Sequence, residues 1–170
     1  MNYEQSVMRS HRAHSWKTRG SNASQTPDQI FTKREQTRQH LSGLRVALLT
    51  LHKALVDSER ISYETTVGQI QSPSHFLQLL ARDAWFTWLQ PFSQLIVAMD
   101  EALEEKTPLT TANRAALVRQ TRRLLVASED GEGFAGHYYA ALQRDPDVVM
   151  AHAEVAKLIR PPKPPTPLQA

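Results

Sequence analysis

Apolar residues recur every three or four positions along most of the chain, which is the spacing of one face of an α-helix. The clearest series is a leucine stripe with alternating steps of three and four, made of Leu41, Leu44, Leu48, Leu51 and Leu55. Thr26 or Asp28 can cap a helix that contains this stripe. After Pro27 the next proline is Pro73. We therefore predict a long first helix over about residues 28–70.

A second apolar face runs from Trp85 to Leu103 within a segment that spans residues 73–105. Pro91 lies inside this segment and removes a backbone donor, so we expect it to kink or split the helix. Trp85 and Trp88 share the apolar face and are expected in the core, with base stacking or a ligand groove as the alternative. Phe86 points in another direction and is expected at an interface.

Three shorter helical patterns follow. Thr110 or Thr111 can cap a helix to about Ala127, and residues 134–143 and 146–159 form a C-terminal helical pair separated by Asp145 and Pro146. Leu117, Thr121, Leu124 and Leu125 should face inward on the first of these, and Val148, Val149, Val155 and Ile159 on the last. No segment alternates with the period of a strand. The fold class expected is an all-α bundle of about five helices: two long, one medium and the C-terminal pair.

The two ends of the chain differ from the body in composition. Residues 1–27 contain four Lys and Arg but one Glu, without a hydrophobic period, and predict a disordered basic arm. Residues 160–170 are proline-rich and predict an extended, disordered tail. The helical domain between them, residues 28–159, has fourteen Lys and Arg against sixteen Asp and Glu. A near-neutral body argues against a DNA-binding domain with one basic face.

The motif search excludes several classes of chemistry. The chain has no cysteine, so thiolate metal sites, disulfides and cysteine nucleophiles are ruled out. Neither a dinucleotide fingerprint, a phosphate-binding P-loop, a nucleophile elbow nor a zinc-protease motif is present. No cofactor is indicated by a motif, and we lean towards a protein that is not an enzyme. No apolar stretch is long enough to span a bilayer, and no secretory signal is evident, so we expect a cytoplasmic protein without a membrane partner.

Four polar residues lie in or beside the apolar face of the predicted first helix: Arg45, His52, Glu59 and Tyr63. A polar group buried without a partner costs free energy. One interpretation is a hydrogen-bonded seam that fixes how the helices align. Another is a polar pocket for a haem, a metal or a small ligand. A third is a surface that binds a partner.

Two residues of the C-terminal helices extend the pocket hypothesis. His152 lies among apolar residues of the last helix, and Tyr138 shares a face with apolar residues of the helix before it. If the first and last helices are neighbours, then His52, Glu59 and His152 could meet. Two imidazoles and one carboxylate form a plausible set of ligands for a divalent metal.

Partner contacts are expected from other residues. Trp16 is unusual in a solvated arm and is a candidate for docking on the body or on a partner. Arg119, Arg122 and Arg123 predict a basic patch on the outer side of the third helical segment, which is either a solvated face or a small site that contacts phosphate.

The body resembles bacterial proteins of unknown function in three segments: Leu51–Leu55 (LHKAL), Trp85–Leu89 (WFTWL) and Arg144–Val148 (RDPDV). The resemblance implies no activity, cofactor or partner. Three hypotheses for function follow from the residues themselves. The first is a non-enzymatic interaction or regulatory protein that acts through protein partners, with self-association as one form. The second is a bundle that binds a ligand, haem or metal. The third is association with nucleic acid or the ribosome through residues 1–27.

Overall fold

The computed structural model describes residues 26–104 and 109–160. The predicted interpretations of the arm, including that of Trp16, and of the proline-rich tail after Arg160 lie outside the described residues. The predicted domain boundaries stay predictions.

All regular structure in the described ranges is helical, which confirms the predicted all-α class. The chain forms α1 (Pro27–Thr66), α2 (Pro73–Arg82), a 3₁₀ helix (Ala84–Leu89), α3 (Gln90–Glu104), α4 (Thr111–Leu124), α5 (Phe134–Arg144) and α6 (Pro146–Ile159). None of the described helices combines the length and the apolar character that crossing a membrane requires.

Helix α1 begins and ends where local chemistry favours it. Thr26 is the N-cap: its hydroxyl accepts from the backbone N–H of Gln29, and the Gln29 side chain accepts from the N–H of Thr26 at 3.1 Å. The helix ends at Thr66, earlier than the expected residue 70, because Gly68 follows with a φ of 152°. Glycine adopts such a backbone without steric cost.

The segment predicted as one long helix with a kink is split into α2, the 3₁₀ helix and α3. Asp83 causes the first break, since its carboxylate accepts from the backbone N–H of Trp85 at 2.9 Å and caps the 3₁₀ helix. Pro91 then lies in the first turn of α3, where its missing N–H has no partner to lose. The predicted position of Phe86 was wrong: it is 1% exposed and packs against Tyr63 and Phe76. A 3₁₀ helix has three residues per turn, so Phe86 and Leu89 share the buried face.

Helix α1 is the central element and packs mainly against α6 and α3. The five leucines of its stripe are fully buried, and burying each stabilises the fold by roughly 1.5–3 kcal/mol. An aromatic cluster of Trp88, Phe92, Phe134 and Tyr138 completes the core. Two details differ from the sequence predictions. Helix α4 ends at Leu124 and not near Ala127, and Val149, which was predicted to face inward, is 43% exposed on the outer side of α6.

Candidate functional site

The polar residues on the first part of α1 are bonded to α3. Arg45 forms an ion pair with Asp100. Nε2 of His52 lies 3.0 Å from the hydroxyl oxygen of Ser93. Burial lowers the pKa of His52 below its ordinary value, so the imidazole is neutral at pH 7. These two contacts fix the alignment of α1 with α3.

Glu59, further along α1, is the most buried charged group in the described chain, with 6% of its side chain exposed. Its carboxylate accepts from the indole N–H of Trp85 at 2.8 Å and from the guanidinium of Arg144 at 2.6 Å. Arg144 also donates to the hydroxyl of Ser58 at 3.1 Å. The ring of Tyr63 packs edge-on against Trp85, with 5.7 Å between centroids. One carboxylate thus joins α1, the 3₁₀ helix and the end of α5.

Tyr138 and His152 form a separate pair between α5 and α6. The phenol oxygen of Tyr138 is hydrogen-bonded to Nδ1 of His152 over 2.7 Å. Burial raises the pKa of Tyr138 and lowers the pKa of His152, so both groups are neutral at pH 7. A neutral donor and a neutral acceptor satisfy each other in the core, where an unpartnered group would be costly.

Of the six polar residues identified from the sequence, five have hydrogen-bond or ion-pair partners, in several small sets, and Tyr63 packs against aromatic rings. His52, Glu59 and His152 each bond to different side chains. Within residues 26–104 and 109–160, no group of three His, Asp or Glu side chains is placed to hold a metal ion. The arrangement supports the interpretation of a hydrogen-bonded seam. Sequence reasoning missed the seam's partners, Ser93, Asp100 and Arg144, because one helix pattern does not reveal which residues of other helices face it.

The predicted patch of three arginines divides into two parts. Arg122 donates to the backbone carbonyl of Ile159, with its Nε at 3.0 Å, and so caps the end of α6. Arg119 and Arg123 are exposed on α4. Arg122 thus has a structural contact, whereas Arg119 and Arg123 present positive charge at the surface.

A groove of about 600 Å³ runs between α1 and α6. We call it the α1–α6 groove. Its walls are small or apolar side chains and its rim is charged, with the lining residues Gly43, Val46, Ala47, Thr50, Lys53, Ala54, Asp57, Asp145, Asp147, Met150, Ala151 and Glu154. Val46 is 55% exposed and Met150 65% exposed. Sequence reasoning missed this surface, although both apolar residues lie off the buried stripes of their helices, which was the available signal.

Gly43 is the unusual residue of the groove. It lies inside a continuous helix, where glycine is less stable than alanine by roughly 0.5–1 kcal/mol. A Cβ atom built on Gly43 meets no heavy atom within 4 Å. The described fold therefore does not require glycine at this position.

Comparisons with protein-family models, curated protein sequences and solved structures give no match. The function must therefore be argued from the surfaces of this chain alone.

Proposed function

We propose that this protein is a non-enzymatic interaction module whose α1–α6 groove binds an amphipathic helix from a partner protein, with basic residues beside the apolar face of that helix. The groove follows α1 and α6 over residues 43–57 and 145–154. Partner helices bind such grooves by inserting apolar anchors spaced three and four residues apart. Exposed apolar side chains that line the groove, Val46 and Met150 above all, would contact those anchors.

The proposal rests mainly on the open space above Gly43, a glycine inside helix α1. Open space above a glycine in a helix allows another backbone to approach closely, which a larger side chain would prevent. The folded chain gains nothing from this glycine, so Gly43→Ala should raise the free energy of unfolding by roughly 0.5–1 kcal/mol. A residue that lowers stability without a structural reason is typical of a functional surface.

The charge of the rim specifies the partner. Four carboxylates, those of Asp57, Asp145, Asp147 and Glu154, line the groove, whereas Lys53 is its one basic residue. Lys53 pairs with Asp57, and Lys157 outside the lining pairs with Glu154. Such exposed pairs contribute little free energy and exchange readily. A partner helix with Lys or Arg beside its apolar anchors would complement this rim, which favours fast and specific association.

A photo-crosslinking amino acid at Thr50, which lines the groove, tests the occupant in the cells that produce the full-length chain. The same amino acid at exposed Gln78 on α2 is the control. Mass spectrometry should identify a segment of another protein that has a helical apolar face with adjacent Lys or Arg, captured from position 50 and not from position 78. Crosslinking to residues 1–25 of the same chain, or to a second copy, would contradict the proposal of a separate partner.

The captured segment, made as a peptide, allows a quantitative test by titration with the purified full chain. Gly43→Trp should weaken binding by about tenfold or more, since it fills the position of closest approach. Ser42→Trp is the matched control: Ser42, at the preceding position of α1, is exposed but does not line the groove. Equal losses in the two variants, with thermal unfolding unchanged in both, would refute the assignment of the groove.

A further inference from the structure

A second cavity, of about 310 Å³, lies where α1 and α4 meet the end of α6. We call it the basic cleft. Four arginines and one histidine line it: Arg114, Arg119, Arg122, Arg160 and His40. None of its lining residues is acidic, although the body as a whole has more Asp and Glu than Lys and Arg. The cleft is therefore a local excess of positive charge.

Two of these residues complete the end of α6. His40 Nε2 lies 3.0 Å from the carbonyl oxygen of Leu158, and Arg122 donates to that of Ile159. A carbonyl oxygen can only accept, so Nε2 of His40 must be the protonated nitrogen. These contacts satisfy the negative end of the helix. They do not use the guanidinium groups of Arg114, Arg119 or Arg160.

Two nitrogen atoms of the basic cleft lack a partner among the described residues. They are Nε of Arg114 and Nδ1 of His40, and both atoms are buried. A buried guanidinium nitrogen that donates to no acceptor is costly, so such groups are normally satisfied. An anion in the cleft would supply the acceptor that the guanidinium of Arg114 lacks.

We propose that the basic cleft binds a small phosphate-bearing molecule. Guanidinium groups recognise phosphate oxygens through paired N–H donors, which suits a cluster of arginines. The volume is at the lower limit of ligand pockets, about 300 Å³, and so fits a small molecule. A nucleic acid backbone needs an extended basic surface, whereas the four arginines of this cleft line a single cavity of about 310 Å³. The proposal does not rest on the α1–α6 groove, which shares no lining residue with the basic cleft.

Calorimetric titration of the full chain with pyrophosphate at low salt tests this site. The purified chain should bind pyrophosphate at one site with a dissociation constant below about 1 mM. Arg114→Gln and Arg119→Gln should each weaken this binding by about fivefold to tenfold. Arg123→Gln is the matched control, because it removes the same charge from α4 at an exposed position outside the cleft. Binding to this variant should change by less than about twofold.

Arg119 is exposed, so its variant keeps the test valid even if Arg114→Gln unfolds the protein. Two results would overturn the proposal. One is no heat of binding at millimolar pyrophosphate. The other is an equal loss in the Arg119 and Arg123 variants, which would indicate only diffuse attraction to positive charge. A twelve-nucleotide oligouridylate that binds more tightly than pyrophosphate and is insensitive to Arg119→Gln would assign the anion affinity to another part of the chain.

Discussion

The buried ion pair between Glu59 and Arg144 allows the sharpest test of the polar seam. Arg144→Met keeps the aliphatic stem but removes the cation, which leaves the Glu59 carboxylate buried with the indole N–H of Trp85 as its remaining strong donor. Breaking a fully buried pair from one side costs about 3–5 kcal/mol. The Glu59 side chain is 6% exposed but that of Arg144 is 37% exposed, so water screens the pair in part. We expect a loss of about 2–3 kcal/mol in the free energy of unfolding.

Removing the carboxylate instead of the guanidinium should lower the free energy of unfolding by a smaller amount. Glu59→Gln retains an oxygen that can accept from Trp85, and the half-exposed Arg144 can turn towards water, so the expected loss is about 1 kcal/mol. In the double variant no unpaired carboxylate is left in the core. Its loss should therefore be smaller than the sum of the two single losses, by at least about 1 kcal/mol.

Urea denaturation followed by circular dichroism and tryptophan fluorescence measures these values at pH 7. Arg82→Met, at an exposed arginine in the last turn of α2, controls for the loss of a helix-terminal charge and should cost less than about 0.5 kcal/mol. Two results would refute the reasoning: additive losses in the double variant, or a loss for Arg144→Met no larger than that of the control. Either would mean that the carboxylate is solvated in spite of its burial.

Two further predictions concern the core and its histidines. Phe86→Ala should lower the free energy of unfolding by about 3–5 kcal/mol, because Phe86 is buried in the core. Thr87→Ala, at the exposed neighbouring position, should change it by less than about 0.5 kcal/mol. Urea denaturation measures both values, and a small loss for Phe86→Ala would mean that Phe86 lies at an interface and not in the core. Burial lowers the pKa of both His52 and His152 from 6.5, so below that pH the unfolded chain binds protons that the folded chain does not. Stability should be retained above about pH 7 and fall as the pH drops towards 5. The slope between pH 7.5 and 5.5 should be smaller in a variant with glutamine at both positions, and an unchanged slope would contradict this origin.

Features encoded by residues close in sequence were predicted well. The leucine stripe of α1, the cap at Thr110 and the break at Asp145 depend on helical spacing and on side chains within three residues of the helix end. Phe86 was misplaced because the prediction applied 100° per residue to a stretch that forms a 3₁₀ helix. The local cause is Asp83, which ends α2 and caps the 3₁₀ helix with its carboxylate.

Features that depend on the pairing of helices were predicted only in part. The sequence identified Glu59 and His152 as polar residues on apolar faces, but their partners are 85 and 14 residues away along the chain. Helical periodicity assigns a residue to one face of its helix but does not predict which residues of other helices pack against that face. The α1–α6 groove shows the same limit, since Val46 and Met150 line one surface only after α1 and α6 have packed together.

The contrast between the seam and the two cavities supports the proposed division of roles. Along the seam nearly every polar group is bonded to a side chain of another helix, so these residues are explained by the fold itself. The fold itself does not explain Gly43 and Arg114. Gly43 has open space above it, and Arg114 has a buried nitrogen without a partner among the described residues. Both features cost free energy in the isolated chain, and both lie in cavities whose chemistry is distinct, acidic and apolar in one and basic in the other. A bound partner or ligand would offset these costs, which is a physical reason to expect that both cavities are occupied in the cell. Ligands should therefore be sought in the two cavities and not along the polar seam.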